Sequence, residues 1–500
     1  MFFANKGYKL DRAFVKYVFH IAIPMMLAQL ITSSVNLIDN IMVGQLGGLA
    51  IGGVAASNRY FYLGLAVIVG VSNGTAIFIA QFFGAKRQSK VQESFRLSII
   101  ATLILIVPVV LAAILFPDTI IRFFNKDPGL LTSGRAYLPI AGIALIPQGI
   151  SFCTQSAMRA VGDTKTPLKI AVVTVLTNVV FNYLLIFGHF GFPRMGVAGA
   201  AAGTLIARIV ELTLTGWVVY RGSYCFSTRI RDMFKIPRDI VREVSNKSLP
   251  LTINELLYGS AMAMIFKLYA TRGTDVMAAM TILGTNSDLF FIIYSGLAAA
   301  TFVVVSQPLG ANKLEEARAN GYRMIRFSSY LSVIFASLMF VSSFIVPESY
   351  QVAPEIKSMA ATFVRIYSVF YLVYTTNVQC FYTLRSGGDT KSSMIMDSGF
   401  FWLINIPMVA IAAYLTDWSI FVVFLIGQFV DVIKMGLALY LVRREGWVKN
   451  LTTGCAITDA EADAQADAQA DAEAGAQAEV QAGAQADAQA GVKADSEASV

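Results

Sequence analysis

Apolar residues in this chain are not spaced singly, as on a half-buried helix or strand. They run together in blocks, and polar residues gather between the blocks. Residues 97–116, LSIIATLILIVPVVLAAILF, carry no charge, and 60–80, 327–346 and 420–442 are similarly long and largely apolar. About twenty such residues, rising 1.5 Å each as a helix, cross the roughly 30 Å of hydrocarbon in a bilayer. The pattern predicts an all-α membrane protein with twelve transmembrane helices: 15–41, 52–81, 92–116, 132–158, 166–188, 196–220, 240–270, 277–308, 320–346, 358–384, 393–415 and 418–442. The first block holds Pro24 and Asp39 and is too long for the apolar core of a cleaved signal peptide.

The twelve blocks fall into two sets. RAVGDTKTPL from Arg159 returns as RSGGDTKSSM from Arg385, AQFFGAK from Ala80 as SQPLGAN from Ser306, and IPMMLAQ with Pro24 as LPLTINE with Pro250. All three pairs are 226 residues apart. One spacing at three anchors argues for two homologous six-helix lobes, 1–225 and 226–446, joined by the basic stretch 222–240. An even number of spans per lobe gives both the same orientation, so they face each other across a central cavity, as in a transporter. Residues 447–500 are expected to be a low-complexity, disordered cytoplasmic tail: from about Thr458, Ala alternates with Asp, Gln, Glu and Gly, and alanine is too small to build a core.

Composition narrows the class further. Hydrophobic residues make up 56% and charged residues 14%, with a mean hydropathy of +0.61, which excludes a soluble protein of 500 residues. Most of the 39 basic residues lie at the amino terminus and in every second loop, among them Lys6, Lys9, Arg12, Lys16, Lys86, Arg87, Lys90 and the cluster Arg229, Arg231, Lys235, Arg238 and Arg242. This inside-positive bias predicts cytoplasmic termini for a multi-pass protein of the cell (inner) membrane. It also accounts for the net charge of +7 without any nucleic-acid partner. The expected partners are the lipid bilayer and small organic substrates, and a monomer is expected. Four cysteines lack metal-ligand spacing, and two histidines cannot form a multi-histidine site. With no nucleophile elbow, phosphate loop or dinucleotide fingerprint, no enzyme is expected.

The ordered set IP....Q.........D..MVG.LG, AQ.FGA, R..GDT, N...N and GV.GAA..T, with its weaker copy in the second half, resembles the multidrug and toxic compound extrusion (MATE) transporters of bacterial type over about 1–446. The resemblance implies a V-shaped pair of lobes exporting cationic or amphipathic compounds in exchange for H⁺ or Na⁺, with no other cofactor. The alternative is a lipid-linked oligosaccharide flippase of the same superfamily. That function calls for several cavity arginines to hold a pyrophosphate, and the spans contain few.

Asp39 interrupts an otherwise apolar span, where an unpaired carboxylate costs several kcal/mol. Small changes in its partners or hydration switch it between charged and protonated forms, which a coupling site requires; an ion pair with Arg59 is the alternative. The resemblance assigns Asp39 to the central cation site of the first lobe. Asn178 and Asn182, four apart, share one helix face and can serve either state of a carboxylate or coordinate Na⁺ beside Asp39. Where a branch of the family has aspartate, Asn182 is neutral. The same matching adds Tyr137 and Thr204. Pro24 removes a backbone hydrogen bond and is the candidate hinge. In the second lobe the resemblance points to Glu255, although the family's glutamate falls about one turn later and its tenth-span aspartate is replaced by Tyr374 or Asn377. Glu255 is therefore expected to attract substrate as a lone cavity charge or to pair with Lys267 or Arg365. The Gly-Asp-Thr loops are expected to be helix caps.

Overall fold

The computed structural model describes residues 10–124, 128–222, 224–350 and 352–454. Among them every regular element is helical, and twelve helices are long and apolar enough to cross a membrane. They are α1 Arg12–Gly44, α2 Gly52–Gly84, α3 Gln88–Leu115, α4 Leu130–Ala160, α5 Lys165–Phe187, α6 Val197–Gly222, α7 Arg238–Ala270, α8 Thr274–Gly310, α9 Leu314–Ser349, α10 Pro354–Ser386, α11 Thr390–Leu415 and α12 Ile420–Arg443. Most run a few residues past the expected apolar limits, because a helix continues beyond the hydrocarbon until a cap stops it. Both Gly-Asp-Thr loops cap as expected, through the aspartate. Asp163 accepts from the Lys165 and Thr166 backbone N–H groups at 3.2 and 3.1 Å, and Asp389 from that of Ser392 at 3.3 Å. Gly162 and Gly388 supply the left-handed turns, with φ of 96° and 78°.

Two features escape the hydropathy pattern. A short helix, Pro117–Phe124, joins α3 to α4 and buries Ile121 while Phe123 stays exposed. The second lobe also has widened π-helical turns at Phe302–Ser306 in α8 and at Ile395–Gly399 and Phe401–Asn405 in α11. Such turns re-aim side chains and often mark functional positions.

The lobes meet at the end of the bundle that carries the Gly-Asp-Thr loops, here the GDT end. There α2 packs on α7 and on the end of α8, and α1 packs on α8. Glycines bring the backbones together. A Cβ on Gly70 would strike Thr252, one on Gly74 would strike Ser248, one on Gly84 would fall on the Gln307 carbonyl, and one on Gly310 on the Gln81 carbonyl. The repeated AQFFGAK and SQPLGAN segments are thus two sides of one contact, each glycine against the backbone of the other's glutamine. Gln307 Nε2 donates to the Ala160 carbonyl at 2.8 Å, extending the contact to the first Gly-Asp-Thr loop.

Each lobe's sixth helix is followed by an aromatic plug. After α6, Phe226 is fully buried against Phe95, with ring centroids 5.0 Å apart, and Tyr224 donates to Asp163 Oδ2 at 2.6 Å. Partial burial pushes the Asp163 carboxyl up, but hydrogen bonds from Thr166, Tyr224 and the local backbone outweigh it and hold the group below the usual carboxylate range. After α12, Trp447 is fully buried, its ring against Gly321 and its backbone against Gly387, and its indole N–H donates to the Val442 carbonyl at 2.9 Å. The chain then crosses to the first lobe: the Leu451 N–H donates to Gln81 Oε1 at 2.8 Å, and Arg87 donates to the Thr452 carbonyl at 2.8 Å. Residues 447–452, expected to begin a disordered tail, are therefore a strap packed on the membrane unit. A composition reading misses it because its order rests on one tryptophan and on backbone groups. The disorder expected further along lies outside the described residues.

Cutting the chain after Thr452 is expected to leave the melting temperature of the detergent-solubilised protein unchanged, whereas cutting after Arg444 lowers it. Trp447→Ala alone should cost about 3–5 kcal/mol, the usual range for emptying a buried tryptophan site. Identical melting of the two truncated chains would disprove a stabilising strap.

Candidate functional site

On the far side of the GDT-end seal the lobes enclose a cavity of about 740 Å³, lined from both halves of the chain. Asp39 reaches it from α1. Asn182 donates to Asp39 Oδ1 at 2.6 Å, and the Asn178 amide lies against the same carboxylate, where only its nitrogen can be satisfied: so oriented, it donates to Oδ1 at 2.9 Å and Oδ2 at 3.1 Å. The Thr204 hydroxyl lies 3.3 Å from the Asn178 amide. Glycine permits this convergence: a Cβ on Gly203 of α6 would occupy the place of Asn182 Oδ1, and one on Gly199 would strike the Leu185 carbonyl. Small residues at a helix contact allow such approach within a membrane.

The structure thus brings Asp39, Asn178, Asn182 and Thr204 into one network. Tyr137 lines the same cavity but gives its hydroxyl to Asn58 at 3.4 Å, outside the network. Arg59 forms no ion pair with Asp39 among the described residues; the base acting on Asp39 is Arg208, itself paired with Glu211 at 2.7 Å. Gln155 adds a hydrogen bond to Glu211 at 2.8 Å. Pro24 lies within α1, which runs unbroken from Arg12 to Gly44.

Asp39, the Asn178 amide oxygen and Thr204 are hard oxygen donors, the chemistry Na⁺ requires, while the Asn182 amide nitrogen already occupies Asp39 Oδ1. A proton needs no such space. Among the described residues no group of three or more His, Cys, Asp or Glu is placed to hold a metal ion.

The second lobe differs from the expectation. Glu255 is not a lone charge, and its partner is neither Lys267 nor Arg365: Arg385, from the second Gly-Asp-Thr loop, donates to it at 3.1 Å while only 2% exposed. Arg365 instead lies over Phe344, 4.5 Å from the ring centroid. Asp397, carried by the first π-turn of α11, pairs with Lys434 of α12 at 2.9 Å and accepts from Asn254 at 3.1 Å. Tyr374 and Asn377 line the cavity; Tyr374 packs edge-on against Tyr294, and Asn377 donates to the Asp431 carbonyl at 3.0 Å. Lys267 and Asp288 do not line it.

Sequence reading missed Asn254, Asp431 and Lys434. One signal was available. The sixth and twelfth spans each carry opposite charges three residues apart on one helix face, Arg208 with Glu211 and Asp431 with Lys434, in reversed order.

Two six-helix lobes around a polar, charged cavity inside the bilayer define a membrane transporter. The chain belongs to the MATE family: the MatE family model matches it twice, over 24–184 and 250–411. It is 24% identical over 406 residues to the probable multidrug resistance protein NorM of Thermotoga maritima, covering 79% of this chain and 84% of that one. It is 27% identical over 416 residues to the multidrug resistance protein PmpM of Pseudomonas aeruginosa, covering 81% and 85%. A solved outward-facing multidrug resistance MATE transporter of the MOP superfamily superposes with a TM-score of 0.78 at 20% identity, covering 86% of this chain and 96% of that one. A Pyrococcus furiosus MOP-superfamily transporter, described as having a binding pocket of reverse polarity, superposes with a TM-score of 0.79 at 19% identity, covering 87% and 98%. The shared fold is the V-shaped MATE architecture. Pocket charge differs within it and must be read from each chain's own residues.

Glu255→Gln and Arg385→Gln are each expected to destabilise the protein, because each strands a buried partner. The double variant should recover about 1–3 kcal/mol relative to additivity. Thermal unfolding of the four proteins in one detergent measures this, and strict additivity would show that the pair does not act as a unit.

Proposed function

We propose that this protein is a multidrug efflux antiporter of the cell (inner) membrane, exporting organic cationic or amphipathic compounds in exchange for protons, with both termini cytoplasmic. The observation that carries the reading is the Asp39 carboxylate, which has no ion pair and is held by two amides at the wall of the cavity. Asparagine suits both states of that group, because its nitrogen donates to the carboxylate and its oxygen, after a flip, accepts from the protonated acid. With the basic loops on the cytoplasmic side, the GDT end is cytoplasmic, and the cavity lies in the outer half of the protein. A proton reaching Asp39 then discharges the wall that attracts a cation. The lobe rearranges around Pro24 and the substrate leaves, so the two ligands oppose each other through one conformational equilibrium.

The cavity bases favour this reading over a flippase. Of the four cavity bases, Arg208, Arg385 and Lys434 are each committed to a carboxylate, which leaves Arg159 alone where a pyrophosphate calls for several. The relatives' names support multidrug export.

Proteoliposomes loaded with ethidium and given a pH step or a Na⁺ step separately test the coupling ion, and the pH step is expected to drive efflux. Asp39→Asn should lower that efflux by about tenfold or more, about 1.4 kcal/mol of barrier, while inserting and folding normally. Its ethidium affinity should no longer change with pH, whereas that of the unsubstituted protein should fall as pH drops. Efflux driven by Na⁺ alone would overturn the proton assignment, and wild-type behaviour of Asp39→Asn would move the coupling site elsewhere.

A further inference from the structure

Three ion pairs, Arg208–Glu211, Arg385–Glu255 and Lys434–Asp397, account for three of the five cavity carboxylates. Two are left, one on each lobe: Asp39 on α1 and Asp431 on α12. The remaining cavity base, Arg159, sits over the Phe152 ring at 5.2 Å and donates to Ser156 at 3.1 Å near the GDT end of α4. Asp431 has no ion-pair partner among the described residues, because Lys434, one turn along, gives its ammonium to Asp397 and rests 4.4 Å from the Phe401 centroid.

A second, independent feature lies beside Asp431. Asn377 is 3% exposed and anchored by its amide nitrogen on the backbone carbonyl of residue 431, and its amide oxygen has no donor. A buried acceptor left bare costs free energy unless a ligand fills it. A carboxylate and a bare amide oxygen together make two acceptors, which suits an ammonium or amidinium with two N–H groups. Tyr258 and Tyr374 also line the cavity and give its wall aromatic rings suited to a flat cation.

We propose that Asp431 and Asn377 form a second cation-recognition pole, on the lobe opposite Asp39, and that the cavity therefore selects organic dications with N–H donors at both charged ends over monocations of similar size. The volume of about 740 Å³ is within the range that holds one drug-sized molecule. Arg159 is bonded to neither of the two unpaired carboxylates, so discrimination rests on local contact and not on net charge: a monocation reaches one of them and leaves the other without a cation against it in a partly desolvated cavity, and a dication reaches both. The inference rests on the export reading for its biological sense but concerns binding, so the two fail separately.

The test is equilibrium binding to the full-length protein in detergent, read by fluorescence at one pH, with the bis-amidine DAPI as the dication and ethidium as the monocation. DAPI is expected to bind the unsubstituted protein more tightly. Asp431→Asn should weaken DAPI by about tenfold, the scale of one lost charged hydrogen bond, and ethidium by less than about twofold. Asn377→Leu should shift DAPI in the same direction by a smaller factor, and Asp431→Glu should retain most of the affinity. Because the Leu and Glu variants keep residue 431 acidic, they report even if Asp431→Asn does not fold. Equal loss of both probes, no loss of either, or equal affinity of the unsubstituted protein for the two overturns the proposal. If DAPI selectivity depends on Asp431 but vesicles export neither probe, the export reading fails and this one stands.

Discussion

The contact on which the rest of the structure depends is the crossing of α2 and α8, where Gly84 meets the Gln307 carbonyl and Gly310 meets the Gln81 carbonyl. Two backbones at that distance exclude any side chain, so the lobes are sealed at one end and must diverge toward the other. The cavity is the space this divergence creates. Its polar lining is affordable only because the seal confines it to the interior of the bundle, away from lipid, where unpaired groups would be prohibitive. The seal is not glycine alone: Phe14, Val18, Ile21 and Ala22 of α1 share one buried apolar cluster with Ile293, Leu297 and Val304 of α8, so opening this end must separate apolar surfaces as well as backbones.

Much of this was legible in the sequence for physical reasons. Hydrocarbon thickness fixes span length, so twelve helices follow from hydropathy, and one spacing between three pairs of motifs exposes the duplication. Asp39, Asn178 and Asn182 stood out because polar groups in an apolar span need a reason. The second lobe was harder to read. Glu255 pairs with an arginine 130 residues away, across a loop that looked merely structural, and Asp397 faces the cavity from a π-turn that helical periodicity does not anticipate. Asp431 and Lys434 left a trace as opposite charges three residues apart, but Asn254 becomes chemically visible only when α7, α11 and α12 converge. Tail composition likewise hid the strap, whose order comes from Trp447 and backbone hydrogen bonds.

The two lobes, duplicated in sequence, have diverged in how they treat charge. In the first lobe Asp39 is held by neutral amides, and among the described residues the ion pair lining its part of the cavity is Arg208–Glu211, local to α6. In the second lobe two of the three cavity carboxylates are tied across helices, Glu255 of α7 to the end of α10 and Asp397 of α11 to α12. Amides hold Asp39 without committing a counter-charge, whereas breaking either cross-helix ion pair of the second lobe strands a charge.

The strap after α12 also orders events during synthesis. Domains fold broadly from the amino terminus as the chain emerges, and the first lobe can complete its own plug with Tyr224 and Phe226 as soon as α6 is followed by its loop. The strap residues that bind Gln81 and Arg87 are translated after all twelve helices. The bonds between the lobes at the GDT end are therefore completed last, by residues more than three hundred and sixty positions from their partners. A chain that stops between Arg443 and Trp447 would hold all twelve helices with a junction that lacks this fastening, leaving Gln81 without its strap partner and the tryptophan site beside Gly321 empty.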